Sequence, residues 1–139
     1  SNGITTNSVR SMAIVSNEVQ ASIITELSSD KVYAYISFNP LQQQVVGTQF
    51  QLKYDNSVLK YEKVEFTTKG SPTNYGTNKG DYINVGSLIS DGSTILDNTT
   101  EYKITFTSIS PITNALGLIS IGSTDAVNKG GTQLKVKIN

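Results

Sequence analysis

The sequence predicts an all-β domain, a nine-stranded sandwich of two antiparallel sheets packed face to face. Short runs rich in β-branched and aromatic residues recur from end to end, with polar turns between them. Helical periodicity is nowhere sustained beyond a turn or two. At 139 residues the chain has the size of one domain with one core, so we expect residues 1–139 to form a single module of a longer protein.

Nine candidate strands account for these runs. They are Val9 to Val15, Glu18 to Leu27, Lys31 to Phe38, Thr48 to Tyr54, Lys60 to Phe66, Asp81 to Ile89, Thr100 to Ser108, Leu116 to Ile121 and Thr132 to Ile138. The turns between them are marked by Ser29-Asp30, Asn39-Pro40, Asp91-Gly92, Asp97-Asn98 and Gly130-Gly131. Nine short strands in one small domain indicate two packed sheets rather than one open sheet.

Alternation within the strands predicts which side chains line the core. The inward sets are Val32, Ala34, Ile36 and Phe38; Phe50, Leu52 and Tyr54; and Tyr102, Ile104 and Phe106. Tyr33 and Tyr35 are predicted on the opposite face of their strand. In the fourth candidate strand, Gln49, Gln51 and Lys53 alternate with the inward set and should face solvent. Asp55 then begins a single turn by accepting backbone N–H bonds.

The longest predicted loop runs from Thr67 to Gly80 and reads TTKGSPTNYGTNKG. It lacks apolar periodicity and holds one aromatic residue, Tyr75. Loops of this length without structure of their own are usually functional or mobile.

Composition excludes several classes of function. Eleven basic residues balance eleven acidic ones, so no basic face is expected for nucleic acid. Cysteine and histidine are absent, which removes disulfides, thiolate and imidazole metal sites and the commonest general base. No apolar run approaches the roughly 20 residues of a membrane span, and the N-terminus lacks the features of a signal peptide. The excess of Ser, Thr, Asn, Gln and Gly is typical of extracellular and virion-surface β proteins.

A Tyr-Asp-x-Ser-Val-Leu core at Tyr54 to Leu59 and three further stretches of the chain together resemble cohesin modules. VVGTQFQLKYDNSVLKYEKVEF, Val45 to Phe66, is similar to the family's third and fourth strands, in which a Tyr-Asp-x-Ser-Val-Leu core is the most specific part. KVYAYISFNPLQQQVVG resembles the preceding strand and turn. ISDGSTILDNTTEYKITFTSI resembles the family's Asp-Gly turn and Ile-x-Phe strand, and GLISIGSTDAVNKGGTQLKVKIN resembles its closing strands.

The resemblance implies a jelly-roll sandwich without enzymatic activity that binds a small calcium-loaded helical protein, a dockerin, through an exposed sheet face. Carried over residue by residue, the partner-binding positions are Gln49, Gln51 and Lys53, with Tyr75 nearby. The chain departs from the family where Asn56 replaces the usual Pro. It also departs at Gly47 and Gln49, which replace outward acidic or Asn residues.

Two other binding functions remain open at this stage. The same sandwich would serve as a structural or decorating module of a virion, pilus or surface layer. A carbohydrate-binding module is the third hypothesis, with Tyr33, Tyr35, Tyr75 and Tyr82 as its aromatic platform, although Trp is absent.

Catalytic and metal sites find weaker support. Asp91 and Asp97 are the best-spaced carboxylate pair for a glycosidase, but turn capping explains both more simply. Together with Asp125 they are also the candidate ligands of a structural calcium ion, although their spacing is not that of an EF-hand. We therefore expect no enzymatic activity and no cofactor other than such an ion.

Overall fold

The computed structural model describes residues 17–97 and 100–139, which form nine strands and no helix. The strands are β1 (Glu18–Ser28), β2 (Lys31–Asn39), β3 (Val45–Tyr54), β4 (Leu59–Phe66), β5 (Thr73–Asn78), β6 (Tyr82–Leu88), β7 (Glu101–Ser108), β8 (Ile119–Asn128) and β9 (Gln133–Ile138). Predicted strand Val9 to Val15 and Asn98 of the predicted Asp97-Asn98 turn lie outside the described residues. This part of the chain contains no helix that could cross a membrane.

The strands form two sheets that share one seam. The first sheet has the order β4-β7-β2-β1-β9, and the second has the order β8-β3-β6-β5. Among the described strands every pairing is antiparallel except that of β1 with β9. A two-residue antiparallel pairing between β8 and β9 joins the sheets at the seam. The predicted sandwich is confirmed, with one parallel pair inside it.

An aromatic cluster connects the two sheets at the centre of the core. Phe38 of β2 and Tyr102 of β7 meet Phe50 of β3 with ring centroids 6.1 and 5.2 Å apart, respectively. All three side chains are at most 2% exposed. Tilted and edge-to-face contacts of this kind add to the stabilisation from burial alone.

The predicted inward sets are all buried, with Tyr54 the most exposed at 8%. Tyr33 and Tyr35 lie on the outer face of the first sheet, as predicted, and both are half-buried. Asp55 begins the predicted turn: its carbonyl oxygen accepts N–H bonds from Val58 and Leu59, and its side chain accepts the N–H of Ser57. Leu59 is thereby buried against the core at 1% exposure.

The prediction of a structureless loop from Thr67 to Gly80 was wrong. Residues Thr73–Asn78 form β5, which pairs with β6 at the edge of the second sheet. All six residues are exposed, so burial imposes no apolar alternation that a sequence pattern could show. Gly76 faces β4 so closely that a Cβ atom there would overlap Val64, which lets the two sheet edges approach.

The prediction for β8 was also inaccurate, because the strand begins three residues later and ends seven residues later than Leu116 to Ile121. Leu116 itself lies in a turn and is 87% exposed. The stretch Gly122 to Asn128 reads as a polar turn, yet it pairs with β3 across a register shift opposite Phe50 and Leu52. Such an irregularity breaks the period-2 pattern by which a strand is recognised.

Candidate functional site

The outer face of the second sheet brings together the predicted partner-binding residues. Gln49 and Lys53 are exposed on β3 and Gln51 is half-buried, whereas Phe50 and Leu52 between them are buried. Tyr75 of β5 pairs with Gly86 of β6, Gly86 pairs with Gln49, and Gln49 pairs with Asp125 of β8. Tyr75 and Gln49 therefore stand in one row across the sheet.

An apolar patch occupies one end of this face. The Gly47 patch consists of Gly47, Tyr75, Leu88 and Val127, and it lines a shallow depression of about 380 Å³. A Cβ atom on Gly47 would lie 2.9 Å from Val127 Cγ1 and 3.1 Å from Leu88 Cδ1, so glycine is what lets these two side chains converge. Leu88 is 55% exposed and Tyr75 is 37% exposed.

Tyr75 is held in place by a second glycine. A Cβ atom on Gly86 would overlap the Tyr75 ring, so the ring lies directly over Gly86 and covers the backbone of β6. This partial burial raises the pKa of the Tyr75 hydroxyl. The result is a flat aromatic side chain fixed against the sheet beside the depression.

Polar side chains border the Gly47 patch and continue along β3 toward Lys53. Gln49 Nε2 donates to Asn84 Oδ1 at 3.2 Å, and Gln133 Nε2 donates to Asp125 Oδ1 at 3.1 Å. The aliphatic part of Lys53 lies along Gly122, where a Cβ atom would be 3.4 Å from Lys53 Cε. The face is therefore apolar around Gly47 and becomes polar along β3 toward Lys53.

Sequence reasoning missed Leu88 and Val127. Ile83 and Val85 are buried on β6, so alternation along the strand places Leu88 on the outer face. A leucine at an outward position was the signal in the sequence that could have identified this residue. Val127 lies in the part of β8 that was not recognised as a strand, and nothing in the local pattern marked it.

The four tyrosines predicted as one sugar platform do not meet. Tyr33 and Tyr35 lie on the outer face of the first sheet, with ring centroids 6.3 Å apart. Tyr75 and Tyr82 lie on the outer face of the second sheet, where Tyr82 pairs with Lys53. The strand assignments explain this, because β2 belongs to one layer of the sandwich and β5 and β6 belong to the other.

The candidate calcium ligands are separated and engaged in other contacts. Asp91 Oδ1 accepts bonds from the Ser93 hydroxyl at 2.5 Å and the Ser93 N–H at 2.9 Å, which lower the pKa of that carboxyl. Asp97 accepts a 3.2 Å bond from the Thr100 hydroxyl, and Asp125 lies on β8 beside Gln133. Within residues 17–97 and 100–139 no three acidic residues gather as a metal site would require.

Asp91 and Asp97 are also the carboxylate pair considered for a glycosidase. A general acid in such an enzyme needs a raised pKa from burial. Asp91 is exposed and its pKa is lowered, and both Asp91 and Asp97 serve as turn acceptors. These contacts are those of turn capping.

The fold can be compared with known proteins. No family model matches the sequence, and no curated protein matches it. The structure is similar to the sixth cohesin of scaffoldin B from Acetivibrio cellulolyticus, solved in complex with a dockerin: 14% identity, a TM-score of 0.70, and coverage of 88% of this chain and 93% of that one.

Two further solved structures extend the comparison. A non-cellulosomal cohesin from Archaeoglobus fulgidus shares 18% identity with a TM-score of 0.59 over 86% of each chain. A cohesin module of a family 33 glycoside hydrolase from Clostridium perfringens shares 10% identity with a TM-score of 0.65 over 87% of this chain and 98% of that one. At these identities the similarity is one of fold, and the predicted cohesin-like jelly-roll sandwich is confirmed.

Proposed function

We propose that this cohesin-like chain is a non-catalytic module that binds a protein partner through the outer face of its second sheet. The observation that carries the proposal is the Gly47 patch, in which exposed Leu88 and Tyr75 lie beside the polar row of Gln49, Gln51 and Lys53. An apolar centre with a polar surround is the usual composition of a protein interface.

The patch suits a helical partner of the dockerin kind. Tyr75 is fixed over Gly86, so little conformational freedom would be lost when a partner packs on its ring. Aromatic side chains of this type are frequent energetic anchors of interfaces. The amide groups of Gln49 and Gln51 and the ammonium of Lys53 would then bond polar groups at the rim. A complex of standard size would bury about 800 Å² on each side.

The setting follows from the same proposal. The module would work outside the cell or at the cell surface, as part of a longer protein that carries further domains. The solved cohesins named above include one bound to a dockerin and one attached to a glycoside hydrolase, which supports this setting by analogy of fold.

The test is a pull-down with the immobilised domain and the secretome of its own source, first with calcium and then with a chelator. The test variant changes Gln49, Gln51 and Lys53 to Glu. The matched control changes Lys135 and Lys137 to Glu in the part of β9 that pairs with β1 of the first sheet. Two Gln→Glu changes and one Lys→Glu change lower the formal charge as much as two Lys→Glu changes, so general charge effects cancel.

The proposal predicts a single calcium-dependent partner that the control retains and the test variant loses. If the pull-down captures components of the assembly to which the domain itself belongs, and the test variant captures them equally well, the structural-module hypothesis is favoured instead. A partner lost by both variants would show that charge, and not this face, governs capture.

A further inference from the structure

The described part of the chain begins beside the Gly47 patch. Asn17 is the first described residue, and its carbonyl oxygen accepts the N–H of Lys135 on β9 at 2.7 Å. Gln133, two residues before Lys135, borders the same depression that the Gly47 patch lines. Because β1 runs parallel to β9, the beginning of β1 lies at the same end of the sandwich as Gln133.

The sequence before Asn17 supplies an apolar run that the described core does not include. We call residues 9–15 the 9–15 segment; the sequence predicts a strand there, and five of its seven residues are apolar. Met12 to Val15 are four consecutive apolar residues. The aromatic centre of the described core is already closed, at most 2% exposed. Removal of this run from water therefore favours contact with an exposed apolar surface.

The short connection to Asn17 limits which surface the segment can cover. One residue separates Val15 from Asn17, so Val15 stays within about 7 Å of Asn17. Pairing along an open sheet edge would need the whole segment at β4 or β5, which lie three or more strand spacings away, about 14 Å or more. Gly47 is about 15 Å from β1, across β9 and β8, and residues 11–16 span that distance when extended. The Gly47 patch is therefore within reach, whereas an edge position for the whole segment is not.

The charges of the segment and of the depression are complementary. Arg10 is the only charged residue in residues 1–16. Asp125 is the one charged residue among those that line the depression, and its exposed carboxylate accepts a 3.1 Å bond from Gln133. Among the described residues, no ammonium group lies within 4 Å of this carboxylate. A guanidinium group would form a charge-assisted hydrogen bond with it.

We propose that the 9–15 segment packs across the Gly47 patch of its own chain, with the Arg10 guanidinium bonded to the Asp125 carboxylate. Apolar side chains of the segment then cover Leu88 and Val127 and remove them from water. The segment occupies the face proposed for the protein partner, so it must leave before that partner binds. This competition rests on the proposed function, whereas the docking itself does not.

Disulfide trapping in the intact chain tests the docking, because the chain has no cysteine of its own. The test pair is Ser11→Cys with Gln49→Cys, and the matched control pair is Ser11→Cys with Ser22→Cys. Gln49 borders the depression. Ser22 lies on the outer face of the first sheet, five residues along β1 from Asn17, at a similar distance of about 17 Å. A disulfide needs Cα atoms about 4.4–6.8 Å apart, so its rate of formation with oxidised glutathione reports contact.

We expect the test pair to form its disulfide at least about tenfold faster than the control pair, because docking raises the local concentration of the two thiols. Mass spectrometry of the oxidised chain measures both rates. Adding Ile14→Asp to the test pair should reduce its rate to that of the control pair, since a carboxylate does not pack on an apolar patch. Ile14→Val, which keeps the apolar character, should leave the rate nearly unchanged.

Charge exchange provides a second test that changes no apolar residue. Arg10→Glu should slow disulfide formation in the test pair several-fold by repulsion from Asp125, and Asp125→Lys in the same chain should restore it. Equal rates for the test and control pairs would overturn the proposal, and so would an unchanged rate in Arg10→Glu.

These measurements involve no partner protein, so they decide the docking whether or not the proposed function is correct. The proposed function fails separately if the pull-down captures no partner even with Ile14→Asp, in which the Gly47 patch should be uncovered.

Discussion

At the scale of single residues, Leu52 and its neighbour Gln51 show how one strand serves both a core and a surface. Leu52 is fully buried, and Gln51 lies on the outer face. Leu52→Ala should destabilise the domain by about 2–5 kcal/mol because it removes apolar contacts and leaves a cavity. Gln51→Ala should stay within about 0.5 kcal/mol. Urea unfolding of both variants measures the two effects, and the reverse order would contradict the orientation of β3.

We expect two aspartates to make the stability of the domain depend on pH. Asp55 Oδ1 accepts bonds from the Ser57 hydroxyl at 2.5 Å and the Ser57 N–H at 3.0 Å, and Asp91 is bonded to Ser93 in the same way. These bonds favour the charged carboxylates and lower the pKa of both groups in the folded state.

The sign of the effect follows from that lowering. The stabilisation is fully present above the ordinary aspartate pKa of about 3.9 and is lost as the pH falls through the lower folded-state pKa. We therefore expect the urea concentration at the unfolding midpoint to fall as the pH is lowered below about 4. Urea unfolding at a series of pH values measures this change. Asp55→Asn keeps an acceptor but cannot titrate, so it should reduce this dependence to the part that Asp91 contributes, and an unchanged slope would contradict the assignment.

At the scale of strands, a chain of buried hydroxyl groups ties the two sheets together. Thr48 Oγ1 of β3 lies 2.5 Å from Tyr102 Oη of β7, which donates to Ser87 Oγ of β6 at 3.1 Å. Ser87 Oγ in turn donates to Asn74 Oδ1 of β5 at 2.6 Å. Burial raises the pKa of the Tyr102 hydroxyl, which stays neutral and serves as the link between layers.

Tyr102→Phe should destabilise the domain by about 1–3 kcal/mol, because it leaves the buried Thr48 hydroxyl without this partner. Adding Thr48→Val should recover part of that loss, since both ends of the bond are then apolar. Tyr35→Phe, on the outer face of β2, is the control and should change stability by less than about 0.5 kcal/mol. Thermal and urea unfolding measure all three, and a larger effect for Tyr35→Phe would contradict the role of the network.

The same scale shows what sequence patterns can and cannot predict here. Strands with one buried face, such as β2, β3 and β7, were recognised because burial imposes an alternation of apolar residues. Edge strand β5 was not recognised because none of its residues is buried. Of the candidate site, the outward row Gln49, Gln51 and Lys53 followed from alternation alone. The convergence of Leu88 and Val127 over Gly47 depends on pairing between distant strands, which local patterns do not encode.

At the scale of the whole molecule, β9 holds the two sheets together. It pairs in parallel with β1 in the first sheet and for two residues with β8 of the second sheet. Partners such as Val19 and Val136 lie far apart in the chain, so much of the fold must form before this pairing is gained. Leu134 of β9 is 4% exposed and contributes to the common core.

Leu134→Ala should therefore lower the stability of the entire domain by about 2–5 kcal/mol rather than loosen one edge. Because both sheets share one core, unfolding should remain a single transition, with coincident midpoints by far-ultraviolet circular dichroism and by tyrosine fluorescence. Leu116→Ala removes the same atoms from a side chain that is 87% exposed, and it should leave the midpoint nearly unchanged. Separate midpoints for the two probes in Leu134→Ala would mean that the sheets unfold independently and that β9 does not couple them.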